Sequence, residues 1–269
     1  MSTRPVVVLP GLTPGLAATR THAQLVETSS AGAVLDPAGL LAGAATSSPT
    51  LDTFVEGIAA ELEQTGLDDV TVVAESFAAT AALRLAATHP DRITELVLIA
   101  PIGFVSPLSG PGRGRASLSD IASSLYSGDP DRTRTALIAL GVPGDVTALA
   151  GEYSSAVDDR AREAGGVLTS MIGSGEFDRA GSAEGDGLRE VRKPVNLIWG
   201  RDDVCAPLDS AFYLERRLRE AQLRVVPNVG HLLLRQWGPE TVRFIGAVLR
   251  TDVATAPGRD QPLVETKGA

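Results

Sequence analysis

The sequence predicts an α/β fold built on a mostly parallel sheet and interrupted by a helical insertion. Three observations carry that expectation. Short, continuously apolar runs alternate with amphipathic segments, the pattern of strands covered on both faces and joined by crossover helices. The stretch Val70 to Ala79, V-T-V-V-A-E-S-F-A-A, passes from strand pattern straight into an Ala-rich helical pattern, with Ser76 at the apex. Between Phe104 and Val191 only helical patterns occur, and Gly-rich stretches flank them. The expected division is therefore a core of residues 1–104 and 191–250, a helical insertion at 105–190, and a loose, apolar-poor tail at 251–269.

The elements follow in order. Val6 to Leu9 reads as a buried strand running into the Pro10-Gly11 turn, and Val34-Leu35 as a short second strand before Asp36-Pro37. Ser48 can cap a helix with Pro49 at its first position; Leu51, Val55, Ile58 and Leu62 share one face, and Gly66 stops it. Val70 to Ala74 is a strand, the helix after Ser76 ends at His89-Pro90, and Leu96 to Ala100 is a strand covered on both faces. Pro107 to Arg115 reads as a linker. Ser117 to Ser127, Pro130 to Leu140 and Asp145 to Ile172 read as helices, and Gly173 to Gly187 as a second linker. Then Val195 to Trp199 is a strand, Ser210 to Ala221 a helix, Leu223 to Val226 a strand and Pro239 to Leu249 a helix.

A chain of 269 residues with 43% hydrophobic and 21% charged residues can bury a substantial core. The expected partner is a small-molecule substrate; the net charge of −9 and the lack of a dense Lys/Arg stripe argue against nucleic acid, and the acidic surface mainly argues solubility. No apolar run approaches a membrane span, and the start M-S-T-R-P-V-V-V-L lacks the apolar stretch of a signal peptide. The expected compartment is the cytoplasm. Cys205, the one cysteine, has no second thiol to pair with and reads as a small buried residue. The Gly-rich segments match no phosphate-binding fingerprint, so no cofactor and no metal is expected. Oligomeric state is left open.

Ser76 is where chemistry concentrates. A strand and helix crossing at a sharp serine turn need small side chains two residues either side, and Ala74 and Ala78 stand there, a degenerate form of G-x-S-x-G. A serine hydroxyl becomes nucleophilic when an imidazole takes its proton, and the imidazole needs a carboxylate to fix its tautomer. Of the three histidines, His231 in N-V-G-H-L-L follows the last strand and shares the carboxyl edge of the sheet with Ser76. His22 is placed in the loop after the first strand, and His89 a helix length from Ser76. Asp202 and Asp203 both follow the strand ending at Trp199 and offer the carboxylate; Asp36 and Asp209 are less well placed.

These residues resemble the α/β-hydrolase family over nearly all of Val6 to Arg250. Trp199-Gly200-Arg201-Asp202-Asp203 with Pro207, Gly230-His231, and His89-Pro90-Asp91-Arg92-Ile93 leading into Leu96 to Ala100 all resemble family motifs, in the family's chain order of serine, acid, histidine. The resemblance implies Ser76 as nucleophile, His231 as base and Asp203, by the family register, as the acid. It implies an oxyanion hole made by the backbone N–H groups of Leu12 and Phe77. It also implies that the insertion caps the strand ends. The sequence departs from the family in Pro10-Gly11 standing where His-Gly is usual, in the two alanines at the turn, and in a short N-terminus that implies a trimmed sheet. The activity implied is a serine hydrolase acting on an ester, thioester or related carbonyl substrate. Because one scaffold serves many chemistries, two alternatives stand beside it: a non-hydrolytic enzyme of biosynthesis such as a cofactor-free lyase, oxygenase or cyclase, and a ligand-binding protein.

Overall fold

The computed structural model describes residues 4–11, 20–43, 49–104, 117–177 and 187–249. Six strands form one parallel sheet: β1 (Val6–Leu9), β2 (Gly32–Val34), β3 (Val70–Glu75), β4 (Ile93–Ile99), β5 (Val195–Gly200) and β6 (Ala221–Val226), in the order β2-β1-β3-β4-β5-β6. The chain steps outward from β1 to β2 and then returns to the other side of β1. The crevice at such a reversal, outside the carboxyl ends of β1 and β3, is where open α/β sheets hold ligands. Register places Leu9 beside Ala74, so Gly11 and Ser76, each two residues further on, face each other across that crevice.

Strand alternation divides the core into two layers. Val7, Leu9, Val72, Ala74, Leu96, Leu98, Leu197 and Trp199 share one cluster with α3 (Leu51–Thr65) and α4 (Ser76–Thr88). Val6, Val8, Val73, Val97, Ile99 and Ile198 share the other with Leu25 of α1 (Arg20–Val26) and Ile245 of the last helix. Both faces are covered, which is why these strands read as unbroken apolar runs.

Between β4 and β5 lie α5 (Leu118–Leu125), α6 (Pro130–Ala139), α7 (Thr147–Ser155) and α8 (Asp159–Gly173). The single helix expected at Asp145 to Ile172 is thus two, because the Asp158 side chain accepts from Ala161 N at 2.7 Å and caps a new start. Ties to the core run through Arg160 to Asp36 at 2.9 Å, beside α2 (Pro37–Gly43), and through Leu51 N donating to the Glu176 carboxylate at 3.1 Å. The two linkers expected around this segment fall largely outside the described residues, as does the tail.

Other boundaries move for local reasons. Thr50, not Ser48, caps α3 in a reciprocal bond with Thr53, and Gly66 ends it at φ +65°. The helix expected at Ser210 to Ala221 is α9 (Leu208–Arg217), because Ala221 pairs with Val195 and joins β6. A short α10 (Leu233–Trp237), missed in an apolar run without period, precedes α11 (Pro239–Val248). All strands among the described residues are parallel. No helix among them is long and apolar enough to cross a membrane.

Candidate active site

Ser76 directly follows β3 and begins α4 with φ +54°, a left-handed conformation that a non-glycine residue holds only when its surroundings impose it. Ala74 and Ala78 are fully buried on either side. The loop after β1 presses on the same turn: a Cβ on Gly11 would stand 2.9 Å from Glu75 Cβ and 3.1 Å from Ser76 Cβ. Glycine at position 11 is the condition for that approach. Leu12, expected as one oxyanion donor, lies outside the described residues; Phe77, the other, is fully buried in the first turn of α4, a helix N-terminus whose N–H groups are not committed to the helix ladder.

The serine hydroxyl lies 2.9 Å from His231 Nε2, and His231 Nδ1 lies 2.8 Å from Asp203 Oδ2. A carboxylate only accepts, so Nδ1 carries the hydrogen and Nε2 is left to accept from Ser76. The other carboxylate oxygen of Asp203 accepts from Cys205 N at 2.9 Å and Ala206 N at 2.7 Å, which locks its orientation. Asp203, Ser76 and His231 are all buried; Asp202, one residue earlier, is exposed and directs its N–H to Val229 O. The choice between the two acids therefore falls on Asp203. Burial pushes the His231 pKa down, but the Asp203 charge and hydrogen bond, with Cys205 nearby, outweigh it and hold the imidazole well above its ordinary value. Cys205 is thus a neighbour of the imidazole as well as a small buried residue.

The His231 loop is braced from two sides. Gly230 N donates to the Gln236 side chain at 2.6 Å, and His231 N donates to Leu140 O, just past α6, at 3.1 Å. Glycines permit the contact: a Cβ on Gly230 would meet Gly141 O at 2.6 Å, and one on Gly200 would meet Val229 O at 2.3 Å and Gly230 O at 2.4 Å. Gly200→Ala must push the histidine loop away from the acid loop. We expect a loss of about 1–3 kcal/mol in stability, read as a lower denaturation midpoint, with turnover falling more than stability alone explains.

A cavity of about 260 Å³ opens on Ser76 and His231. His22, expected in a loop, sits instead on α1, is buried, and its Nε2 lies 3.0 Å from the Glu75 carboxylate in the lining of the same cavity. His89 caps the other end of α4, a 13-residue helix about 20 Å long, and contacts Thr88 Oγ1. Tyr153 of α7 and the buried Leu232 and Leu234 also line the cavity. The pairing of Glu75 with His22 left no mark in the sequence beyond a polar residue in an otherwise apolar strand end. Among the described residues no cluster of His, Cys, Asp and Glu could hold a metal ion.

A family model described as alpha/beta hydrolase fold matches residues 5–235. The chain is similar to a pimeloyl-[acyl-carrier protein] methyl ester esterase of Aromatoleum aromaticum, 29% identical over 68% of this chain and 73% of that protein. It is similar to a 2-hydroxymuconate semialdehyde hydrolase of Pseudomonas putida, 27% identical over 66% of this chain and 61% of that protein, so it spans less than two thirds of the latter's length. In structure it resembles a 2-hydroxy-6-oxo-6-phenylhexa-2,4-dienoate hydrolase from a Rhodococcus species, with a TM-score of 0.67 at 18% identity, covering 93% of this chain and 91% of that one. At that identity the likeness shows the fold alone.

Proposed function

Because the chain belongs to the alpha/beta hydrolase fold family, we propose that it is a serine hydrolase that cleaves an ester, thioester or related carbonyl substrate by way of an acyl-enzyme. The observation that carries this reading is the unbroken buried relay from Ser76 Oγ through His231 to Asp203, with steps of 2.9 and 2.8 Å. Ser76 Oγ attacks the carbonyl carbon as its proton passes to His231 Nε2. The tetrahedral oxyanion is held by backbone N–H groups of Leu12 and Phe77. Collapse of the intermediate breaks the bond to the leaving group, which takes the proton from Nε2. Water, deprotonated by the same nitrogen, then attacks the acyl-enzyme and returns Ser76 to its starting state. Asp203 keeps the proton on Nδ1 and stabilises the imidazolium without itself becoming protonated.

In this reading residues 105–190 form a cap over a core of residues 1–104 and 191–250. Support comes from the insertion's own contacts: Tyr153 lines the cavity and Leu140 O holds the histidine loop, so the insertion shapes the pocket and braces the base. The names of the two sequence relatives, an esterase and a hydrolase, agree with the reaction class.

A fluorophosphonate probe tests the proposal, because it is captured only by an activated serine. Stoichiometric labelling, located by peptide mass at Ser76 and slowed while an ester substrate is present, is the expected result. A protein that stays unlabelled would return the site to ligand binding or non-hydrolytic chemistry.

A further inference from the structure

Four buried side-chain polar atoms among the described residues have no hydrogen-bond partner: Tyr153 Oη, Thr169 Oγ1, Gln236 Nε2 and Thr241 Oγ1. Of their residues, Tyr153 alone belongs to the lining of the cavity that holds Ser76 and His231. Two charged or titratable neighbours in that lining are already matched. Arg235 pairs with Glu152 and lies over the Tyr153 ring at 5.7 Å, and His22 pairs with Glu75. The ring is therefore held in place while its hydroxyl is left over. Burial, against the opposing charge of Arg235 and helped by the carboxylates of Glu75 and Glu152, pushes the phenol pKa upward, so the group stays a donor through the working range of pH. A buried donor without an acceptor is a costly feature in a native protein and calls for a reason.

We infer that Tyr153 Oη is the pocket's substrate-selecting hydrogen-bond donor, favouring esters that carry a second acceptor oxygen, an oxo or hydroxyl group, away from the scissile carbonyl. The inference rests on the serine hydrolase reading of the same site. A pocket built to bond a substrate oxygen discriminates strongly against the analogue that lacks it, because the donor is then buried unpaired in the complex. An aliphatic ester still reacts, since Leu232 and Leu234 supply apolar contact, but it leaves the phenol unpaired.

The experiment compares the wild-type protein with Tyr153→Phe on methyl hexanoate, on methyl 3-, 4- and 5-oxohexanoate, and on 2-hydroxyethyl hexanoate. The wild type is expected to favour at least one acceptor-bearing ester by about 10-fold or more in kcat/KM. Tyr153→Phe should lose about 10- to 100-fold on that ester and clearly less on methyl hexanoate, so that the preference of the wild type disappears. Its Tm should hold or rise, since the substitution removes an unpaired buried hydroxyl, and the fluorophosphonate should still label Ser76. A wild type without preference, an equal loss on every ester, or a clear fall in Tm would overturn the assignment while leaving the hydrolase reading in place. A wild-type protein that hydrolyses none of the esters and resists the probe would remove both.

Discussion

Ser76→Ala is expected to lower kcat on a small chromogenic ester by a factor on the order of 10⁴ to 10⁶ while leaving the fold intact. The size follows from what the substitution removes. His231 and Asp203 act only on the proton of Ser76 Oγ, so without that oxygen the pair has nothing to activate, and the residual rate comes from binding and oxyanion stabilisation alone. The fold should survive because alanine, like serine, carries a single small group into the left-handed turn at φ +54°, and its Cβ already has room between Ala74 and Ala78. What is lost structurally is one hydrogen bond, 2.9 Å long, to an imidazole that faces a cavity able to hold water. We expect a Tm within a few degrees of the wild type and loss of fluorophosphonate labelling. Turnover retained at more than about one per cent of wild type, with the variant folded, would remove Ser76 from the nucleophile's role.

Ser76, Asp203 and His231 were legible because each stands directly after a strand, and parallel strands bring their carboxyl ends to one edge. Strand patterns are local, and the convergence of their ends follows from topology without any knowledge of side-chain packing. The choice of Asp203 over Asp202 is different in kind. It needed the family register, and the structure supplies the physical reason in the backbone N–H groups of Cys205 and Ala206, which turn one carboxylate oxygen inward.

What escaped the sequence depends on tertiary contact. His22 stands in a segment without period, and only the packing of α1 brings it against Glu75. The break between α7 and α8 depends on the Asp158 cap, one short polar side chain in a segment whose apolar pattern continues through it. Gly141, Gly200 and Gly230 are scattered along the chain, yet they meet where the insertion, the acid loop and the histidine loop touch. No window of sequence contains that junction. Tyr153 is the sharpest case: its burial, its place in the cavity lining and the lack of a partner for its hydroxyl all arise from tertiary packing that no local pattern encodes.

Asp203→Asn should cost on the order of 10⁴ in kcat, for a reason that lies in donors and acceptors rather than in shape. The amide can keep its oxygen on the N–H groups of Cys205 and Ala206, where Asp203 Oδ1 now sits 2.9 and 2.7 Å away. Its NH₂ then takes the place of Oδ2 and meets His231 Nδ1 as a donor. The imidazole must offer a lone pair there, so the hydrogen moves to Nε2, the nitrogen that has to accept the proton of Ser76. The pH profile separates this account from simple misfolding. In the wild type, the carboxylate holds the imidazole pKa above its ordinary 6.5, against the downward pull of burial. Neutral His231, the base, therefore accumulates only as pH rises through that elevated value, and kcat/KM should climb along a limb centred above 6.5. In Asp203→Asn the pull of burial remains and the charge is gone, so the limb of the residual activity should move to lower pH. Measuring kcat/KM from pH 5 to 10 for both proteins on one ester gives both readings. A variant whose limb stays where the wild type's lies would show that Asp203 does not set the protonation of His231.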